Sequence, residues 1–185
     1  MFISILPIVM NFNLIKIRLK IMFYLISGKI RRKSTKIEIP NYKNIKKIVL
    51  FFPSDEDSFR VALYSFRDFN FFNKDIKYYF VINQKFENLI NLNGPDLIFL
   101  RYNRNSVTFC STEHKNILMK GSKDIIIDLN TKFNIELCKL ISHINSDYKI
   151  GFKSMFSDYF FNFQLDIKDQ GITEIGFKRI QKILM

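Results

Sequence analysis

The sequence is poor in glycine and cysteine and has no tryptophan: its 185 residues include six Gly and two Cys. No glycine belongs to a GxGxxG or GxxxxGK[ST] pattern, the loops that hold nucleotide phosphates, which argues against a dinucleotide or P-loop site. Cys110 and Cys138 are not closely paired, and neither has a His or Cys at metal-ligand spacing. We therefore expect no metal site, no cofactor, and a reducing, cytoplasmic compartment.

Acidic residues are scarce at the amino terminus. Residues 1–47 carry eleven basic side chains against the single acid Glu38, whereas the rest of the chain is nearly neutral. A basic arm of this kind is attracted to lipid headgroups or nucleic acid, and the neutral body disfavours nucleic acid. The residues expected to contact an anionic membrane surface are Lys16, Lys20, Lys29, Arg31, Arg32 and Lys33.

The arm also lacks a long uncharged run. Fifteen uncharged residues precede the first lysine, against the roughly 20 that cross a bilayer, and the basic residues follow the apolar run rather than precede it as in a secretory signal. The spacing predicts a helix over residues 14–27, with Leu14, Ile17, Ile21 and Leu25 on one face. That face is expected either to lie in a membrane interface or to pack on the domain, ahead of a solvated basic linker.

Beyond the arm, short apolar runs alternate with helical patterns. Strands are predicted at 46–52, 76–82, 96–100, 124–129, 147–152 and 159–167. Helices are predicted after Ser54 and at 84–92, 134–144 and 172–184, and residues 101–122 are expected to form an irregular loop with one helical turn.

This alternation is typical of an α/β fold with a mostly parallel, doubly wound, Rossmann-like sheet and helices on both faces. The predicted domain boundaries are an arm at 1–45 and a single domain at 46–185. Ligands of such sheets bind beyond the carboxyl ends of the strands, which here include Asn83 and Arg101. The expected pocket residues are Pro53, Ser54, Ser58, Asn130, Thr131, Lys153 and Ser154.

No catalytic arrangement stands out, and the candidates are three carboxylates. Asp55 and Asp57 flank Glu56 at a helix start, where they suit the helix dipole but would repel a phosphate. Asp128 follows a buried strand, where a carboxylate can orient a ligand. The alternative, which we favour, is that Asp128 caps the following segment by accepting hydrogen bonds from backbone N–H groups.

One stretch carries a family resemblance. "DIIIDLN", the helical "ELCKLISHI" and "DYKIGF" with the aromatic-rich segment after it resemble glycosyltransferase family 9, the lipopolysaccharide heptosyltransferases. In the amino-terminal, acceptor-binding half of those two-domain (GT-B) proteins, D-h-h-I-D-L precedes a helix and then R-I-G-F. The corresponding segments here are 124–129, 134–144 and 149–152, and "KIVLFFPS" is similar to that family's opening strand. The resemblance covers about residues 46–167 and implies a Rossmann-like half-domain.

Two departures accompany the resemblance. The family's first strand leads into Gly-Asp, whose Asp is the proposed base on the acceptor sugar, and that pair falls on Asp57 and Ser58. The family binds its nucleotide sugar mainly through a second Rossmann-like domain, which would begin near Met185. The chain also resembles a small uncharacterised bacterial family with a basic amino-terminal helix and a single α/β domain.

The resemblance implies an accessory or catalytically incomplete protein of lipopolysaccharide or other cell-envelope glycan synthesis, peripheral at the inner face of the cytoplasmic membrane and not an enzyme on its own. A first alternative is a hexosyl- or heptosyltransferase subunit completed by a second Rossmann-like subunit that binds the nucleotide sugar. A second alternative is a non-enzymatic module whose basic arm binds nucleic acid or a protein. The residues do not specify the small-molecule ligand.

Overall fold

The computed structural model describes residues 12–31, 44–72, 75–90, 94–167 and 173–184. Within them lies one sheet of seven strands, with helices packed against it. The strands are β1 Lys47–Phe51, β2 Lys77–Asn83, β3 Asp96–Asn103, β4 Ser106–Phe109, β5 Lys123–Asp128, β6 Ser146–Phe152 and β7 Phe163–Leu165. The helices are α1 Phe12–Ile26, α2 Glu56–Ser65, α3 Thr112–Met119, α4 Ile135–His143 and α5 Thr173–Leu184, with 3₁₀ helices at Gln84–Leu89 and Ser157–Tyr159.

The sheet has the order β4-β3-β2-β1-β5-β6-β7. Every neighbouring pair is parallel except β3 and β4, which form an antiparallel hairpin at one edge. Successive strands are added on one side of β1 up to β4 and on its other side from β5 onward, as in doubly wound folds. The predicted Rossmann-like fold class is confirmed.

The central strands are apolar on both faces because helices cover both. In β1, Leu50 contributes to one core with α2 and α5, and Val49 contributes to the other with α1, α3 and α4. Phe59 of α2 and Leu137 of α4 are both fully buried. Continuous apolar runs, rather than alternating ones, are what two-sided burial requires.

The predicted amino-terminal helix is present as α1, and it packs on the sheet domain. Ile21 is fully buried, and the predicted face that includes Leu14, Ile17 and Leu25 lies against the same core. Ile30, just after the helix, is also buried. This face was expected either to lie in a membrane interface or to pack on the domain, and in the structure it packs on the domain.

Residues 101–122 correct the prediction of an irregular loop, because they contain the end of β3, all of β4 and α3. β4 is a short edge strand with half-buried side chains, and α3 buries only Leu118. β4 therefore lacks the apolar run from which the other strands were predicted, and α3 lacks the apolar stripe from which the other helices were predicted. Ser111 begins α3 by accepting a hydrogen bond from the backbone N–H of His114.

Two further elements are shorter than predicted. The segment 84–92 contains a 3₁₀ helix, Gln84–Leu89, and its last two residues lie outside the described part of the chain. The strand predicted at 159–167 is only β7, Phe163–Leu165, because a 3₁₀ turn precedes it. The aromatic side chains there fill the core from the turn as well as from the strand.

Gly151, in the "KIGF" segment of β6, has a packing role. A Cβ atom at this position would lie 2.7 Å from ring atoms of Phe161. Because real Cβ atoms do not approach that closely, the aromatic segment packs on β6 only if this residue lacks a side chain.

Candidate functional site

A hydrogen-bonded frame joins the carboxyl ends of β1, β2 and β5. Asn130 Oδ1 accepts from the backbone N–H of Ser54 at 2.9 Å, and Asn130 Nδ2 donates to the carbonyl of Phe52 at 3.3 Å. Asn83 Nδ2 donates to the carbonyl of Ser54 at 3.3 Å. The loop between β1 and α2 is thus hydrogen-bonded to residues at the ends of both neighbouring strands.

Asp128 is enclosed in this frame. Its Oδ1 accepts from the backbone N–H of Asn130 at 3.0 Å and from Asn130 Nδ2 at 2.7 Å. Burial raises the pKa of Asp128 to about 6, and the hydrogen bonds from Asn130 act in the opposite direction. These are the contacts of a cap, and the carboxylate is only 4% exposed. Its position leaves a ligand little access to it.

Asp124, at the other end of β5, has a matching role. Its Oδ2 accepts from the backbone N–H groups of Lys46 and Lys47 at 2.7 and 2.8 Å. The motif "DIIIDLN" therefore ties β5 to β1 at the amino end through Asp124 and at the carboxyl end through Asp128 and Asn130. Its polar residues therefore hold the two central strands, β1 and β5, together at both ends.

The carboxylates after β1 are divided between a helix cap and the solvent. Asp55 is the N-cap of α2 and accepts from the backbone N–H of Ser58 at 3.0 Å. Partial burial would raise the pKa of Asp55, but the hydrogen bonds from Ser58 hold it below its usual value. Asp57 is exposed, Ser54 is half-buried and Pro53 is buried. These contacts place no base beside a nucleophile or a substrate cavity.

The carboxyl end of β6 has its own polar cluster. Lys153 Nζ forms an ion pair with Asp166 at 2.8 Å. The backbone N–H of Ser154 donates to Ser157 Oγ at 2.9 Å, while Ser154 Oγ is buried and has no hydrogen-bond partner among the described residues. Thr131, at the neighbouring end of β5, is half-buried.

A cavity of about 380 Å³ lies at the carboxyl ends of β2 and β3. Arg101 Nη2 donates to Gln84 Oε1 at 3.2 Å. The cavity is lined by Asn83, Gln84, Lys85, Arg101, Tyr102 and Asn103. The lining includes three side-chain amides, two cations and no acid, a set that suits a hydroxyl-rich ligand with an anionic group. The ring of Tyr102 packs against the core on the α1 side of the sheet.

None of the seven expected pocket residues is among those that line this cavity. Of the strand-end residues named from the sequence, Asn83 and Arg101 line it, and the others belong to the frame or to the β6 cluster. The sequence did hold a signal for Gln84 and Lys85, since both lie within three residues of the end of the strand predicted at 76–82. Tyr102 and Asn103 were hidden because β3 continues past its predicted end at residue 100.

A larger cavity of about 530 Å³ lies beside β4, between α3 and α4. Two of its polar groups are already engaged: Lys139 Nζ binds Glu136, and His143 Nε2 lies 3.0 Å from the carbonyl of Lys29. Among the described residues, no group of three His, Cys, Asp or Glu side chains is placed to hold a metal ion. In the same residues, no helix has both the length and the apolar character to cross a bilayer.

The basic residues of the arm have different environments. Lys20 Nζ forms an ion pair with Glu136 at 2.8 Å, and this hydrogen bond raises the pKa of Lys20. Lys29 Nζ lies 5.5 Å from the centre of the Phe23 ring, and Lys16 and Arg31 are exposed. Two others predicted to contact a membrane, Arg32 and Lys33, lie outside the described residues.

Comparisons with known proteins identify the fold. No family model matches the sequence, and neither does any curated protein sequence. The structure of E. coli heptosyltransferase WaaC with ADP aligns over 75% of this chain and 47% of its own, with a TM-score of 0.55 and 13% identity. The same enzyme with ADP-2-deoxy-2-fluoro heptose gives 0.54 at the same identity, with coverage of 75% and 48%.

A glycosyl transferase family 9 structure from Veillonella parvula aligns over 82% of this chain and 43% of its own, with a TM-score of 0.53 and 17% identity. This chain thus spans less than half the length of the solved structures it matches. The likeness confirms the resemblance at the level of fold: the domain is built like one half of a family 9 glycosyltransferase.

Proposed function

We propose that this protein is a glycosyltransferase family 9-like half-domain that binds an anionic glycan in cell-envelope glycan synthesis and is catalytically incomplete on its own. The glycan occupies the polar cavity at the carboxyl ends of β2 and β3. Its hydroxyl groups face the amides of Gln84 and Asn103. Its phosphate or carboxylate groups face Lys85 and Arg101.

The observation that carries this proposal is the composition of the cavity lining. Arg101 has a neutral hydrogen-bond partner in Gln84, and no described acid pairs with Lys85 or Arg101. A guanidinium and an ammonium in one cavity, both without a carboxylate partner, favour phosphate or carboxylate oxygens as ligands. The hydrogen bond from Asn83 to the carbonyl of Ser54 joins the cavity wall to the frame.

Catalytic incompleteness is supported by the positions of the carboxylates. Asp55 is committed to capping α2, Asp57 is exposed at the start of that helix, and Asp128 is enclosed by Asn130. None lines the cavity. The solved neighbours that bind ADP or an ADP-sugar analogue are more than twice as long as the aligned region.

Binding is tested by isothermal titration calorimetry of the full chain with deacylated lipopolysaccharide inner core, an oligosaccharide bearing phosphate and carboxylate groups. Arg101→Gln and Lys85→Gln should each weaken binding about tenfold, the loss of one charge-assisted hydrogen bond. Arg60→Gln is the matched control, because Arg60 is exposed on α2 and paired with Glu56. Absence of binding, or equal binding by all variants, would overturn the proposed site.

The alternative is a transferase subunit completed by a second Rossmann-like subunit. It is supported by the structural alignment, in which this chain covers less than half of each solved neighbour. Transfer from an ADP-sugar to the same oligosaccharide separates the two functions. The chain alone should give no product. Turnover by the chain alone would contradict incompleteness, and turnover only after a second chain is added would support the subunit.

A further inference from the structure

Helix α1 is apolar on the side that faces away from the domain as well as on the side that packs against it. The outward side chains of Phe12, Leu19, Phe23 and Ile26 are 79%, 61%, 59% and 86% exposed. Ile15 and Met22 are exposed on the same side. We call these six residues the outward face of α1.

The outward face is continuous. Its members follow one another at spacings of three and four residues, apart from the adjacent pair Met22 and Phe23, so they form one stripe along the helix. The stripe lies opposite Ile21, which is fully buried against the sheet domain. Soluble proteins rarely expose so large a contiguous apolar patch unless it binds something.

Positive charge borders the outward face. By helical spacing, Lys16 and Arg18 lie on its two sides. Both are exposed, as are Lys29 and Arg31 just after the helix. No described residue forms an ion pair with Lys16 or Arg18, and the first 37 residues of the sequence contain no acid. The apolar stripe and its border therefore form one cationic, apolar surface.

We propose that the outward face of α1 inserts into the headgroup region of a lipid bilayer that carries anionic lipids. An interfacial helix lies in the membrane plane with its apolar side among the acyl chains and its basic side chains at the headgroups. This surface is separate from the glycan cavity, and the proposal does not depend on the glycan.

Charge favours lipid over the other occupants of an apolar surface. A second copy packed through the same stripe would bring two basic borders together with no acid on either helix to pair with them. Nucleic acid would neutralise the basic border but would leave six apolar side chains without a contact. An anionic bilayer satisfies both parts of the surface.

The test is co-flotation of the full chain with vesicles of phosphatidylcholine alone or with about one third phosphatidylglycerol. Wild type should bind the mixed vesicles and bind neutral ones weakly. The double variant L19S/F23S should lower the partition coefficient for mixed vesicles about tenfold or more, because two exposed apolar side chains no longer insert. K16Q/R18Q should remove most of the difference between the two vesicle types.

One control keeps the outcome specific. F72S replaces an aromatic side chain that is 70% exposed elsewhere on the domain, and it should bind as wild type does. The proposal is overturned if wild type binds neither vesicle type, or if L19S/F23S binds normally. It is also overturned if sedimentation velocity shows that wild type is a dimer and L19S/F23S a monomer. The same holds if the α1 variants alter only binding to poly(A) RNA.

Discussion

At the scale of single residues, the "DIIIDLN" segment carries the family resemblance without offering reactive groups. Asp124 binds two backbone amides before β1, and Asp128 and Asn130 bind the loop after it. A parallel pair of strands distant in sequence needs such ties, because no short turn sets its register. These residue types therefore follow from the fold, and they identify it independently of any catalytic role.

The buried carboxylate of Asp128 should make stability depend on pH. Its pKa is about 6 in the folded protein, against 3.8 ordinarily, so the folded state keeps a proton that the unfolded chain releases. Its contribution to the free energy of unfolding is therefore largest below about pH 4 and falls as pH rises to 6. Asp128→Asn keeps an oxygen acceptor for Asn130 and removes the titration.

The stability of wild type relative to Asp128→Asn should thus fall by about 2 kcal/mol between pH 4 and pH 7. Urea unfolding followed by far-UV circular dichroism measures this difference. Asp147→Asn, which changes an exposed carboxylate on β6, is the control and should follow wild type. A difference between wild type and Asp128→Asn that stays constant over this range would show that Asp128 is not titrating as described.

The sequence predicted some of these residue roles and missed others. The cap at Asp128 followed from its position, because an Asp two residues before Asn130 can reach its backbone N–H. The cavity was missed because its lining comes from three places: the end of β2, the 3₁₀ turn after it, and the last residues of β3. Which strand ends share a cavity depends on strand order, which local sequence does not contain.

At the scale of elements, α1 is held by polar contacts as well as by apolar ones. Glu136, in the first turn of α4, accepts from Lys20 at 2.8 Å and from the hydroxyl of Tyr24 at 3.1 Å. Lys139 of the same helix also binds it. Burial would raise the pKa of Glu136, but the hydrogen bonds from Lys139 and Lys20 hold it below its usual value.

Glu136→Gln should loosen α1 without unfolding the sheet. Losing the carboxylate partner of Lys20 and Tyr24 should raise hydrogen–deuterium exchange over residues 12–26 about tenfold at pH 7, while β1 and β5 stay protected. Because the pKa of Glu136 is lowered by folding, this contact is present at neutral pH and lost as pH falls below 4.5. Acidified wild type should therefore resemble the variant.

Glu113→Gln is the control, because Glu113 is exposed in the first turn of α3. It should leave exchange in α1 unchanged. Equal exchange in α1 for wild type and Glu136→Gln at pH 7 would contradict a role for this carboxylate in docking the helix.

Elements with apolar runs could be predicted from sequence, and elements without them could not. The five central strands follow from two-sided burial, whereas β4 is a half-exposed edge strand of four residues. For α1 the helix itself was predicted, but a single apolar face was assumed. Its apolar residues lie on two opposite sides of the helix, and only the tertiary contact of Ile21 decides which side is inward.

At the scale of the whole molecule, α1 and the sheet domain form one folded unit. Ile21 and Ile30 are 0% and 3% exposed, and they fill the core on one side of the sheet. A chain beginning at residue 44 would leave that core open. Removing these two side chains alone costs about 3–6 kcal/mol of burial, comparable with the stability of many domains.

The chain lacking residues 1–43 should therefore unfold at a much lower urea concentration, or bind the dye ANS as a partly folded state does. Deleting residues 1–11 removes none of the described contacts and should leave the urea midpoint unchanged. An unchanged midpoint without residues 1–43 would show that the domain is stable without α1.

The arrangement of the sheet also sets the order in which a nascent chain can fold. Asp124 binds the backbone of Lys47, 77 residues earlier, and Glu136 binds Tyr24 across 112 residues. At roughly 5–20 residues per second, about 6–22 s pass on the ribosome between synthesis of Tyr24 and of Glu136. Until the end of that interval α1, apolar on both sides, lacks the α4 residues that it contacts in the folded domain. It is therefore a target for chaperones or for the bilayer before the domain is complete.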